Sequence, residues 1–260
     1  MTLPPVRDAG TLVVMRPRRG DGVPELLMTQ RAVTLRFAGG AMVFPGGAVD
    51  DADRLWADDL THGSGPGVEP SDMAARIAAV RETIEECGLL LTGANAPLPR
   101  DRVAMLREAL HRGEELRSLI RQGGPHLDFE ALVPFARWCP RAFETRIRYD
   151  TRFYVAVTDG VHDDLIPDGS ETASLVWASA QDMLARADEG RARIIFPTRC
   201  NLERLAQFST VDAVVEHARL SPPTLISPWI ETRAGQEYLC IPEGLGYPVT
   251  ARSTKTALRG

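Results

Sequence analysis

Three carboxylates, Glu82, Glu85 and Glu86, fall within about one helical turn of each other. Placed at about 100° per residue, Met73, Ile77, Val80 and Ile84 form a narrow apolar stripe, and the three glutamates project roughly opposite. Ser71 before the pattern and Gly88 after it read as an N-cap and a C′ residue. Carboxylates this close repel one another unless a cation neutralises them, and hard oxygen ligands suit Mg²⁺ or Mn²⁺. Taken alone, the helix reads more commonly as a solvated acidic face.

The upstream loop changes that balance. Phe44-Pro45-Gly46-Gly47, followed by Arg81-Glu82-Thr83-Ile84-Glu85-Glu86-Cys87-Gly88-Leu89, resembles the Nudix box. The resemblance implies that Glu82, Glu85 and Glu86 are metal ligands, with Glu86 the most direct, and that the Gly46-Gly47 backbone lies close to the metal. It also places Arg81 in the catalytic machinery, oriented by a first box carboxylate. Here the pattern departs from the family. Asp53 stands where that carboxylate belongs, but 27 residues separate it from Arg81 where the family has seven. An insertion at about 50–70 is expected, and Asp53, Asp72 and Glu69 all remain open for the orienting role. Thr83 occupies a position that is apolar in the family, a small change.

The run from Leu27 to Gly47 carries Arg31, Arg36 and Gly40 at the spacing of the motif that precedes the box in coenzyme A diphosphatases. Arginine forks suit a ligand with a 3′-phosphate as well as a diphosphate. The long insertion, a second one at about 98–138 and the run Arg148 to Tyr154 further resemble the peroxisomal-type subgroup. The implied activity is hydrolysis of coenzyme A or an acyl-CoA. Another nucleoside diphosphate derivative (ADP-ribose, NADH, a sugar nucleotide) or a non-catalytic nucleotide sensor are the alternatives. A further carboxylate is expected as base or extra ligand. Glu171, just before the strand that holds Trp177, is the first candidate and Glu144 the second; Trp177 itself reads as core.

These groups need a frame. Thr11–Met15 and Glu25–Thr29 flank a polar turn and read as a β-hairpin, and the Gly-rich stretch after them as a shaped loop. Short helices are expected over 102–112, 114–121 and 129–138, so the second insertion reads as all-helical. An extended run follows Gly88, over 89–92. Further strands are expected at 151–158 and 174–178, and helices at 181–188, 198–208 and 211–218, before an irregular Pro-rich tail. The whole, residues 1–260, reads as one α/β domain, an α/β/α sandwich around a mixed, partly antiparallel sheet.

A net charge of −5 lacks the basic footprint that binds phosphate backbones, so nucleic acid is not expected as a partner. No apolar run approaches the roughly 18 residues that span a bilayer, so no membrane is expected either. The four cysteines are far apart, with no apolar leader, and read as free thiols of a cytoplasmic protein. The expected partner is the nucleotide substrate, with a homodimer left open.

Overall fold

The computed structural model describes residues 4–35, 38–62, 67–91, 99–122, 127–140, 147–158 and 162–257. The expected hairpin is present as β1 (Val6–Pro17) and β2 (Pro24–Arg31), antiparallel with Met15 opposite Leu26. The Gly-rich stretch is more ordered than a loop, for it holds two short strands, β3 (Ala41–Val43) and β4 (Gly46–Ala48). The segment expected as an inserted loop contains α1 (Asp51–Thr61), whose N-terminus is closed by a reciprocal pair: Asp50 accepts from the Asp53 N–H, and Asp53 from the Asp50 N–H.

The glutamate-bearing helix, α2, runs Pro70–Cys87. It starts two residues earlier than an N-cap at Ser71 implied: Glu69 holds the cap position, Pro70 sits in the first turn and there is no side-chain cap. It ends as expected at Gly88, whose φ of 64° is the left-handed conformation open to glycine. Beyond it residues 89–91 belong to no strand, and Thr92, the end of the expected extended run, lies outside the described residues.

The second insertion is helical only in its first part, α3 (Arg100–His111) and α4 (Leu116–Arg121). The expected third helix is wrong. After a 3₁₀ turn at Phe129–Ala131 comes a strand, β5 (Val133–Trp138). Phe135 and Trp138 are fully buried in the sheet, so tertiary pairing overrode a pattern that short apolar runs leave ambiguous. β6 (Arg148–Val157), β7 (Thr172–Ser179), α5 (Ala180–Asp188), the two-residue β8 (Arg193–Ile194), α6 (Phe196–Leu205) and α7 (Val211–Leu220) follow. The tail is not irregular: after β9 (Leu225–Ile226) it forms a small antiparallel sheet, β10 (Trp229–Arg233), β11 (Gln236–Cys240) and β12 (Ala251–Ser253), with α8 (Thr254–Ala257).

The main sheet, among the described residues, has nine strands in the order β8-β3-β2-β1-β6-β5-β9, with β4 added to β1 and β7 to β2. Both faces are covered. Leu12, Val14, Tyr154 and Ala156 face α2, while Val13, Met15, Phe153 and Val155 face the C-terminal helices, which is why Leu12–Met15 is continuously apolar. The stripe Met73, Ile77, Val80 and Ile84 is buried as expected, but α2 also buries Ala74, Ala75, Ala78 and Ala79. These small residues let it sit directly on β1. A Cβ on Gly10 would lie 1.9 Å from the Ala75 carbonyl oxygen. Gly10→Ala therefore forces helix and strand apart. It should cost about 3 kcal/mol or more of stability by urea unfolding, whereas an unchanged midpoint would disprove the close contact.

Candidate active site

α2 lies on one face of the sheet, yet its glutamates work on the other side of β4. The reason is the missing side chains at Gly46 and Gly47. A Cβ on Gly47 would stand 2.4 Å from the Glu82 carboxylate, and the Gly46 N–H donates to Glu86 Oε2 at 3.2 Å. Through this gap Glu82, Glu85 and Glu86 reach a cavity of about 770 Å³ that Gly46, Gly47, Arg31 and Glu171 also line. Sequence reading thus named seven residues that the fold brings together.

Arg81 stands behind them. It donates to Asp53 at 2.9 and 3.2 Å, to Glu82 at 2.8 Å, to Glu85 at 3.2 Å and to the Ala48 carbonyl at 3.0 Å. Burial opposes its charge, but the surrounding carboxylates outweigh this and hold it firmly cationic. The open choice of orienting carboxylate is therefore decided geometrically. Asp53, 3% exposed, contacts Arg81. Asp72 instead pairs with Arg76 and accepts from the Tyr154 hydroxyl. Glu69 caps the start of α2 with its backbone. Thr83 satisfies its buried hydroxyl on the Ala79 carbonyl at 2.7 Å, so the polar residue fits an apolar position.

The glutamates are electrostatically uncomfortable. Burial pushes Glu82 up to about 7, with repulsion from Glu85 adding to it and Arg81 opposing it. Burial and then repulsion from Glu82 push Glu86 up to about 8, against the Gly46 N–H and Arg31. A divalent cation is the group that would relieve this strain. Among the described residues no three such side chains converge as a ready-made cage. The donors present are carboxylate oxygens, the ligand type that suits a hard divalent cation.

Glu171 is exposed at the end of a tightly tied loop. Asp168 accepts from the backbone N–H groups of Ser170, Glu171 and Thr172, and from the Ser170 hydroxyl. Burial raises the Asp168 carboxyl, but these donors outweigh it and hold it below its usual value. The Glu171 carbonyl accepts from Ala32 N–H at 2.7 Å, tying the loop to the chain beside Arg31. Gly40, at a φ of 77°, turns its N–H onto the Arg31 carbonyl without lining the cavity. Arg36 and Glu144 lie outside the described residues. Trp177, read as core, is partly buried against the cluster under α2: its Nε1 donates to the His162 carbonyl and Arg16 stacks on its ring.

Two groups escaped the sequence reading. Tyr149, Thr151 and Phe153 of β6 line the cavity while Asp150, Arg152 and Tyr154 point away from it, an alternation that was legible once the strand was recognised. Arg107 of α3 left no such signal. Its guanidinium donates to the carbonyls of Glu85, Glu86 and Ile166 at 2.8, 3.0 and 2.7 Å. It thereby caps the end of α2 and fastens it to the segment leading to Glu171.

The fold and this site define a Nudix hydrolase. The family model described as the NUDT19 Nudix domain matches residues 55–205, more than half of the chain, and the chain belongs to that family. The acyl-coenzyme A diphosphatase NUDT19 of Gallus gallus is 28% identical over 236 residues, 72% of this chain and 62% of that one. Its Homo sapiens counterpart is 27% identical over 243 residues, 75% and 64% of the two chains. The chain thus spans less than two thirds of the length of these relatives. The crystal structure of a NUDIX hydrolase from Alicyclobacillus acidocaldarius superposes with a TM-score of 0.68 at 29% identity, covering 83% of this chain and 97% of that one. Nudix hydrolases generally use divalent metal ions. All four cysteines are buried and none is in a disulfide, and among the described residues no helix is long and apolar enough to cross a membrane.

Asp53→Ala leaves a buried arginine short of its partner. It should lower stability by about 3 kcal/mol and cut turnover, while Glu69→Ala does neither; equal effects in urea unfolding and rate assays would return the orienting role to the open list. Arg107→Ala should cost about 2 kcal/mol. Arg107→Lys should recover less than half of that, because a point charge cannot serve three carbonyls; full recovery would mean that charge alone matters.

Proposed function

We propose that this chain hydrolyses the pyrophosphate link of coenzyme A or an acyl-CoA, giving 3′,5′-ADP and 4′-phosphopantetheine or its acylated form. The observation that carries the reading is the meeting, in one cavity, of Glu82, Glu85 and Glu86 with Arg31 from the segment that resembles the coenzyme A motif. The relatives named acyl-coenzyme A diphosphatase support it.

Glu82, Glu85 and Glu86 are the residues that would hold Mg²⁺ or Mn²⁺. Such an ion, when bound, offsets the diphosphate charge and lowers the pKa of a water at the phosphorus. Arg31 adds a fixed positive charge beside the phosphates. Arg81 keeps Glu82 and Glu85 in place without entering the cavity, and Asp53 keeps Arg81 in place. Glu171, on its rigid loop, is positioned to take the proton from the attacking water as its oxygen bonds to phosphorus and the bridging P–O bond breaks. Substrate and product are the chemical partners of this site.

The deciding experiment is mass-spectrometric product analysis with Mg²⁺ or Mn²⁺ against coenzyme A, an acyl-CoA, ADP-ribose, NADH and a sugar nucleotide. Release of 3′,5′-ADP from the CoA compounds is expected. Glu86→Gln should lower the rate at least about 100-fold, since several kcal/mol of charge stabilisation are lost, and should abolish the rise in Tm on adding metal. Near-normal turnover in that variant would sink the assigned metal site, and cleavage of the other compounds alone would sink the CoA reading.

A further inference from the structure

The catalytic cavity does not end at the glutamates. Cross-strand partners form an unbroken row: Ala48 opposite Ala9, Ala9 beside Thr151, Thr151 opposite Trp138, and Trp138 beside Ile226. The row crosses five strands, so with neighbours roughly 4.8 Å apart it extends about 19 Å from the box glycines. At its far end the C-terminal segment closes over the sheet. There the cavity wall includes Trp138, Pro140, Phe196, Pro228, Leu239 and Ala257. None of these side chains carries a charge. Three of them, Pro228, Leu239 and Ala257, come from the loop before β10, from β11 and from α8, beyond the segment that the family model matches. Among the described residues, the helical insertion, an obvious candidate for such a wall, contributes only His111 to the cavity lining.

We propose that this end of the cavity is a subsite for the acyl chain of a thioester substrate, built by the C-terminal sheet and α8. The inference rests on the CoA reading and refines it: acylated coenzyme A is preferred to the free form. The pantetheine arm carries several amide donors and acceptors, and of these six side chains only Trp138, through its buried indole N–H, offers a polar atom, so burying the arm here would leave most of its amide groups unpaired. A hydrocarbon chain makes no such demand. Continuity with the glutamate end fixes the occupant as part of the same substrate rather than a separate ligand. Each methylene removed from water there strengthens binding by up to roughly four-fold.

The test compares kcat/KM for octanoyl-CoA and coenzyme A in the wild type, in Ala257→Phe, which fills the subsite, and in Pro228→Asp, which puts a charge into its buried wall. Isothermal titration with S-octanoyl-pantetheine, which lacks the diphosphate, reads the subsite without turnover, and Tm reports folding. The wild type should prefer octanoyl-CoA at least ten-fold. In the folded variants the preference should fall to within about two-fold, with loss of S-octanoyl-pantetheine binding. No preference in the wild type, or a preference untouched in both variants, overturns the subsite. If no CoA compound is cleaved while S-octanoyl-pantetheine binds wild type and not the variants, the CoA reading fails and the apolar subsite stands. Absence of both sinks both.

Discussion

Arg81 donates at once to carboxylates from α1 and α2 and to a carbonyl of β4, and the site depends on that one buried guanidinium. Three segments distant in sequence meet on it. A cation so enclosed is tolerable only because Asp53, Glu82 and Glu85 surround it, and those carboxylates are tolerable only because the cation is there. Glu86 is left outside this balance. It faces the cavity with the Gly46 N–H as its nearest donor, which makes it the carboxylate with the most to gain from a bound metal ion.

A second constraint is steric. Glycine at 10 lets α2 press against β1, and glycine at 47 leaves room for the Glu82 carboxylate. A side chain at either position would collide with α2, at 10 with the Ala75 carbonyl and at 47 with the Glu82 carboxylate. The catalytic helix can be packed as core on one face of the sheet while its acidic turn serves the other. α3 then secures the end of that helix through Arg107, so the insertion acts as a brace.

The box and its neighbours were legible because their residues are close in sequence and their chemistry is dense. Glu82, Glu85, Glu86, Gly46, Gly47, Arg31 and Glu171 were all named from the sequence, and all line one cavity. The strand Val133–Trp138 was misread as helix because a short apolar run has no decisive period; only pairing with β6 and β9 makes it extended. The tail looked irregular because its strands are short and half exposed, and their ladder gives them order that local composition does not announce. α1 was hidden for a similar reason: its helix is held by the Asp50–Asp53 cap and by packing on α2, among residues that read as polar loop.

The sequence by itself determined the family, the acidic helix with its apolar stripe and glycine stop, and the hairpin that precedes the box, because each is encoded in residues a few positions apart. Only the tertiary structure decided which carboxylate orients Arg81, that Arg107 braces the helix, and that the C-terminal sheet walls the far end of the cavity. Those relations join residues 28, 22 and about a hundred positions apart. Contacts at such separations are chosen by how whole elements pack, which no local pattern of side chains records.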